Sequence, residues 1–252
     1  MKSDQKSRMR LDEALVQRGI FGTRSRARDA IERGTVRVGG VLAVKPGAGI
    51  TQDAAITVED PARGYVSRAA LKLIAGLDRF GLDPHGRQAL DIGASTGGFT
   101  QVLLERGARH VIAVDVGHGQ MDASLRAHPR VTCLEGLNAR ELGGAHLEGI
   151  APDFIVSDVS FISLRLALPP ALDLASQGAR GVFLVKPQFE AGRDAIGKGG
   201  LLRDPDEGAR VAERLRDWLD GVPGWRSIGL CQSPIEGGDG NREFLLTGVK
   251  DR

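Results

Sequence analysis

Over most of this chain, runs of four to six apolar residues alternate with stretches whose apolar positions recur every three or four residues. The runs predict strands near 88–94, 110–116, 131–135, 153–158, 180–186, 225–231 and 243–249, and helices fit between most of them, most clearly over 206–219 after Pro205. Strands alternating with helices predict a mostly parallel sheet covered on both faces, with any ligand at the carboxyl ends of the strands. The front of the chain reads differently. Leu11, Ala14 and Leu15 mark one face of a helix that Gly19 stops. Ala27, Ala30 and Ile31 mark the inner stripe of a second helix, capped by Thr23 and ended by Gly34. Two short alternating strands follow around Gly39-Gly40. Asp60-Pro-Ala-Arg-Gly-Tyr-Val66 has the Pro and Gly of a connection, and Ser67 is placed to cap a helix from Arg68. The expected domains are residues 1–60, a linker over 61–66, and residues 67–252, without internal repeats or low-complexity tracts.

With 252 residues, 41% hydrophobic and 26% charged, the chain has room for one sizeable α/β domain and a small module. Its two cysteines, Cys133 and Cys231, form neither a Cys-x-x-Cys nor a cluster with histidine. No disulfide framework and no metal site are expected, which suits a reducing cytoplasm. No run approaches the roughly 18 apolar residues of a membrane span, and Met1-Lys-Ser-Asp-Gln-Lys lacks an apolar signal core. The formal charge of +2 hides an asymmetry: residues 1–45 carry eleven Lys/Arg against five Asp/Glu, a net +6, and the remainder is net −4. A basic front on an acidic body predicts an anion-binding segment, most simply for nucleic acid, joined to a body without general polyanion affinity.

The candidate chemistry begins at Leu90-Asp-Ile-Gly-Ala-Ser-Thr-Gly-Gly-Phe99, an apolar strand breaking into a glycine-rich turn and then a helix. Asp91, Gly93, Ser95, Thr96, Gly97, Gly98 and Phe99 are its candidate cofactor residues, the glycines allowing close backbone approach and the helix end presenting amides. The next strand ends at Asp115, where Rossmann-type proteins hydrogen-bond a ribose hydroxyl pair. Ser95 interrupts the Gly-x-Gly-x-x-Gly of a dinucleotide site, and no Gly-Lys-Ser/Thr completes a phosphate loop. Asp-x-Gly-x-x-x-Gly-Gly-Phe is the pattern expected where a methionine-derived sulfonium lies over the turn; the plainer reading is an ordinary strand-to-helix turn. Four further polar residues fall at the ligand end of the expected sheet: Lys72, Asp158, Lys186 and Glu243. Singly, Lys72 reads as a snorkelling side chain and Glu243 as a surface turn, but Lys186, after five apolar residues and before Pro187, is harder to dismiss.

In the front segment, Arg10, Arg24, Arg26, Arg28, Arg33 and Arg37 are expected to face outward as a phosphate-binding surface, the alternative being a merely solubilising face. Arg10-Leu-Asp, Thr23-Arg-Ser-Arg-Ala, Ile31-Glu-Arg-Gly-x-Val-x-Val-x-Gly and Lys45-Pro46 resemble the S-four-type RNA-binding module over about residues 10–59. With Ser67-Arg-Ala-Ala-Leu-Lys72, Asp91 to Thr100, Asp115-Val-Gly-His-Gly-Gln120, Ser157-Asp-Val-Ser-Phe-Ile-Ser163, Leu184-Val-Lys-Pro-Gln-Phe-Glu190 and Ser233 to Glu243, nearly the whole chain resembles the TlyA-type ribosomal RNA 2′-O-methyltransferases. That resemblance implies an α/β, Rossmann-like seven-stranded methyltransferase domain of the FtsJ-like kind behind a small α+β S-four-type module. It implies a catalytic tetrad on Lys72, Asp158, Lys186 and Glu243; since a ribose hydroxyl needs its proton removed or shared, Lys186 is expected to act as base or to orient the hydroxyl oxygen. It implies S-adenosyl-L-methionine in the turn, Asp115 on its ribose, Asn138 near its adenine and Asp158 facing the sulfonium. The implied partner is ribosomal RNA or a ribosomal subunit, and the implied substrate a cytidine. Because the chain stops at Arg252, short of the C-terminal segment of longer relatives that act on both subunits, large-subunit RNA is the preferred target. Family members also carry a haemolysin label, for which no membrane-active segment is found here. The competing readings are a non-catalytic RNA-binding or cofactor-sensing protein of ribosome assembly, a pseudouridine synthase and a nicotinamide oxidoreductase.

Overall fold

Apolar spacing in the front segment is satisfied by a small unit with its own core. The computed structural model describes residues 8–238 and 240–251, so the first seven residues of the expected front domain, Asp239 of the Ser233–Glu243 motif and Arg252 lie outside the described residues. The chain divides into two compact units, the first ending at Gly64 and the second starting at Tyr65. In the first, β1 (Arg8–Arg10) leads into α1 (Leu11–Gln17) and α2 (Arg24–Glu32), followed by β2 (Val36–Val38), β3 (Val41–Leu42), β4 (Gly49–Thr51) and β5 (Ile56–Val58). The Thr23 hydroxyl accepts from the Arg26 N–H at 3.3 Å and caps α2. β2 and β3 form a hairpin through Gly39 and Gly40, whose φ values of +56° and +81° match the twist of the strands. β5 pairs with β2, and β1 with β4, both antiparallel. Leu11, Leu15, Ala27, Ile31 and Val36 fill the core between helices and strands.

The second unit runs α3 (Ala70–Phe80), β6 (Gln88–Ile92), α4 (Gly98–Glu105), β7 (His110–Asp115), α5 (Ala123–Arg126), β8 (Val131–Glu135) and β9 (Phe154–Ser157). It continues with α6 (Leu164–Ala167), α7 (Pro169–Leu174), β10 (Arg180–Val185), α8 (Glu207–Asp220), β11 (Trp225–Gln232) and β12 (Phe244–Lys250). Seven strands form one sheet in the order β11-β12-β10-β9-β6-β7-β8. All pair parallel except β12, which is antiparallel to both β10 and β11. Alternate residues of each central strand enter opposite layers: Leu90, Ile92, Phe183 and Val185 pack on one side, and Ala89, Val111, Val182 and Leu184 on the other. α3 begins two residues later than expected. Ser67 does not cap the helix itself; its hydroxyl accepts from the Ala69 N–H at 3.2 Å in the turn before it.

The chain order reverses between β6 and β9, which opens a crevice at their carboxyl ends. Among the described residues no helix is long and apolar enough to cross a membrane.

Candidate active site

β6 ends where the chain must turn sharply to enter α4, and three residues take positive φ to do it: Gly93 at +81°, Ser95 at +48° and Gly97 at +96°. These glycines are expected to admit a ligand; the structure uses them first to bring chain against chain. A Cβ on Gly93 would stand 3.0 Å from the Asp158 carbonyl oxygen, and one on Gly97 2.4 Å from Leu125 Cδ1. On Gly98 it would meet Ser67 Cβ at 2.9 Å, so that glycine seats α4 against the turn before α3. The floor so formed lies under two adjoining hollows. The larger, about 480 Å³, is lined by Gly93, Ser95, Asp115, Gln120, Asn138 and Phe161 among others. The smaller, about 200 Å³, is lined by Ser67, Thr96, Gly98, Phe99, Asp158 and Lys186 among others. Gly93, Ser95, Asp158 and Ser160 belong to both, so the two are halves of one groove.

Asp91 and Gly97 line neither half. Asp91 is fully buried under the turn, where the Thr100 hydroxyl donates to Oδ2 at 2.7 Å while Oδ1 has no hydrogen-bond partner among the described residues. Burial pushes its carboxyl up to about 7, helped by the Asp158 charge and opposed by Thr100. Asp115 stands in the larger half at the tip of β7, accepting from the Ser95 N–H at 2.8 Å and the Gly117 N–H at 2.7 Å. Asn138 stands in the loop after β8 and lines the larger half; its Oδ1 accepts from the Arg140 N–H at 3.1 Å, and that bond fixes the amide's direction.

Glu135, which is not among the residues expected at the site, anchors this half of the groove. It accepts backbone N–H bonds from Gly119 at 2.6 Å, Gln120 at 2.8 Å and Met121 at 3.1 Å, and pairs with Arg126 at 2.6 Å. Arg126 and then these amides hold its carboxyl down at about 2. The loop it fixes carries Gln120, whose Oε1 accepts from the Ser95 hydroxyl at 3.1 Å. Its signal was a carboxylate at a strand's carboxyl end, the same signal that picked out Asp115 and Asp158.

Four residues meet beside the smaller half as two ion pairs. Lys72, on α3, lies 2.5 Å from Glu243 Oε2, and Lys186, after β10, lies 2.6 Å from Asp158 Oδ1. β9, β10 and β12 are neighbours, with Val185 opposite Phe244, so the sheet delivers Asp158, Lys186 and Glu243 to one edge. The Lys72–Glu243 pair is nearly sealed from water, its side chains 7% and 2% exposed. Burial raises the Glu243 carboxyl while Lys72 pulls it down, and the charges of Lys186 and Asp158 act on it too. Lys186 also donates to the Ser160 hydroxyl at 2.7 Å. An arrangement of two amines and two carboxylates at a strand edge is suited to moving or sharing a proton at a bound hydroxyl.

The profile of the FtsJ-like methyltransferase family matches residues 65–250, the whole of this sheet and groove. The chain belongs to that family. The S4 domain profile matches residues 9–53. The chain is 46% identical to the 16S/23S rRNA (cytidine-2′-O)-methyltransferase TlyA of Mycobacterium tuberculosis over 95% of its own length and 89% of that relative's. It is 36% identical to the 23S rRNA (cytidine-2′-O)-methyltransferase TlyA of Campylobacter jejuni, over 74% of this chain and 72% of that one. A solved structure from Streptococcus thermophilus, whose description carries the hemolysin label, superposes with a TM-score of 0.76 at 39% identity. That superposition covers 98% of this chain and 90% of the other.

In the S4 domain of this FtsJ-like protein the expected outward arginines divide. Arg28 and Arg37 are exposed on α2 and β2. Arg10 and Arg24 are half-exposed and share the buried Asp12 carboxylate, at 3.0 and 3.1 Å. The Arg10 and Arg24 guanidiniums hold that carboxyl at about 2 against the effect of burial. Arg26 donates to the Arg63 carbonyl at 3.3 Å. Arg33 corrects the expectation of an outward side chain: it is largely buried, with Asp29 at 2.9 Å and Asp60 at 2.8 Å. Asp60, expected to close the front domain, is thus bound into it.

Proposed function

We propose that this protein transfers a methyl group from S-adenosylmethionine to the ribose 2′-hydroxyl of a cytidine in ribosomal RNA. The observation that supports this most is the pair of lysine–carboxylate contacts, Lys72–Glu243 and Lys186–Asp158, beside a groove floored by the glycine turn. The groove's residues fit the cofactor. Asp115 offers a carboxylate to vicinal ribose hydroxyls, and Asn138, its oxygen engaged, offers its amide hydrogens to an aromatic nitrogen. Asp158 lines both halves, so its carboxylate would face a sulfonium held between them. When bound, the cofactor supplies a methyl carbon already activated by positive sulfur.

A ribose hydroxyl is a weak nucleophile until its proton is shared or removed, and that task falls to the chain's own residues. Lys186 orients the hydroxyl oxygen for in-line attack and, in its amine form, receives the proton. Asp158 fixes Lys186 from one side. The buried Lys72–Glu243 pair stands behind it and sets the charge at that edge. The S4 domain docks on folded RNA through exposed arginines such as Arg28 and Arg37, and one nucleotide enters the groove. Large-subunit RNA is the first target to test, since the names of both relatives include 23S rRNA. A ribosomal substrate places the work in the compartment that holds ribosomes.

The test is transfer of labelled methyl from S-adenosylmethionine to large and small ribosomal subunits from a strain lacking this protein, followed by nucleoside analysis. Label in 2′-O-methylcytidine is expected. Label on a base, or cofactor binding without transfer to either subunit, overturns the reading.

A further inference from the structure

The loop after β9 and the segment after β10 are fastened at successive points. Lys186 meets Asp158 at 2.6 Å and Ser160 at 2.7 Å. The rings of Phe161 and Phe189 stand 5.0 Å apart. Beyond them, Glu190 accepts from the Ser163 hydroxyl at 2.6 Å and from the Leu164 N–H at 2.7 Å. Phe161 takes a φ of +65°, a conformation a bulky residue holds only when its surroundings impose it. The Glu190 clamp on one side and Lys186 on the other supply that constraint. The chain reversal leaves Ser160 on the wall shared by both halves of the groove.

We infer that Ser160 is a positioning residue for Lys186, fixing the direction in which its terminal nitrogen faces the acceptor hydroxyl. This rests on the role given to Lys186 above. The nitrogen is tetrahedral, with one direction taken by its own chain. Asp158 draws it from a second side, but a single carboxylate contact leaves the group free to turn about its last carbon–nitrogen bond. The Ser160 oxygen takes one hydrogen and stops that rotation, which fixes the nitrogen's remaining directions beside the groove that Lys186 lines. The hydroxyl contributes no charge, so it orients the nitrogen without competing with Asp158 for the sulfonium.

The experiment compares the full chain with Ser160→Ala, Ser160→Thr and Lys186→Ala, using large ribosomal subunits and labelled S-adenosylmethionine. Ser160 is exposed, so these changes leave the core untouched. Ser160→Ala is expected to lower kcat by about tenfold, the cost of a loosely oriented group. Its dissociation constants for cofactor and subunit should stay within about twofold, and Ser160→Thr should recover most of the rate. Unchanged kcat in Ser160→Ala overturns the inference. So does a parallel loss of cofactor affinity, or a Ser160→Thr rate no better than that of Ser160→Ala. If Lys186→Ala retains full turnover, the reading of Lys186 fails; if it is inactive while Ser160→Ala is normal, only this inference fails.

Discussion

Replacing Lys72 by Met removes one charge from a nearly sealed pair, and the consequence depends on pH. Methionine keeps much of the apolar stem, so packing around α3 is largely preserved. What changes is Glu243, whose carboxyl is already raised by burial and held back by Lys72. Without Lys72 it rises further. A carboxyl with a higher pKa folded than unfolded binds more protons in the folded state, so stability falls as pH climbs from the unfolded value of 4.5 toward the folded one. Below that window the variant loses little beyond a hydrogen bond, about 1 kcal/mol. Above it the deficit grows by about 1.4 kcal/mol per unit of added shift. The ceiling is about 3–5 kcal/mol, the cost of a stranded buried charge. Both tryptophans, Trp218 and Trp225, lie in the second unit, so urea unfolding followed by their fluorescence reads the unit that matters. A deficit at about pH 8 well above that at about pH 5 is expected. Lys72→Met with Glu243→Leu should regain stability but not methyl transfer. Equal deficits at both pH values, or a double variant as unstable as the single, refute the reasoning.

Asp91→Asn keeps an acceptor for Thr100 and removes a carboxyl that burial raises from 3.8 to about 7. Since a raised acid costs stability as pH rises through that window, the variant should outlast the wild type in urea at about pH 8; a lower midpoint there contradicts this. Asp115→Ala deprives the Ser95 and Gly117 amides of their acceptor and the cofactor ribose of its partner. Calorimetry should show affinity for S-adenosylmethionine down by about tenfold to a hundredfold, with kcat at saturation retained. Arg28→Ala should weaken RNA binding and reduce the salt slope by about one. Arg33→Ala, which strands Asp60, should instead cost about 3 kcal/mol of stability in the front unit.

The parts legible in the sequence are those written by local pattern. Apolar runs such as Val111–Val114 and Gly181–Val185 located the strands because a doubly covered strand has no polar face. Thr23 and Gly39-Gly40 located a cap and a turn because their chemistry acts on adjacent backbone. Strand direction carries no such mark, so the reversal of β12 emerged only from its pairing with β10 and β11. β1 and β4 are three residues each, too short for periodicity to register. Lys72 and Glu243 each read as a surface residue alone; 171 positions apart, they explain each other only when folded together. Arg33 reads as outward from the pattern of α2 alone, because Asp60, the partner that draws it in, lies 27 residues later. Glu135, at a strand end, carries the same mark as Asp115 and Asp158, whereas Glu190 works by accepting from the Leu164 N–H and the Ser163 hydroxyl, 26 and 27 residues back, which no local pattern announces.

The most direct test of the whole account is single-turnover methyl transfer to large ribosomal subunits by Lys186→Ala, with cofactor affinity measured on the same preparation. The account predicts transfer reduced by about a hundredfold or more and a dissociation constant for S-adenosylmethionine within about twofold of wild type. Transfer at the wild-type rate, or loss of cofactor binding in step with transfer, contradicts it.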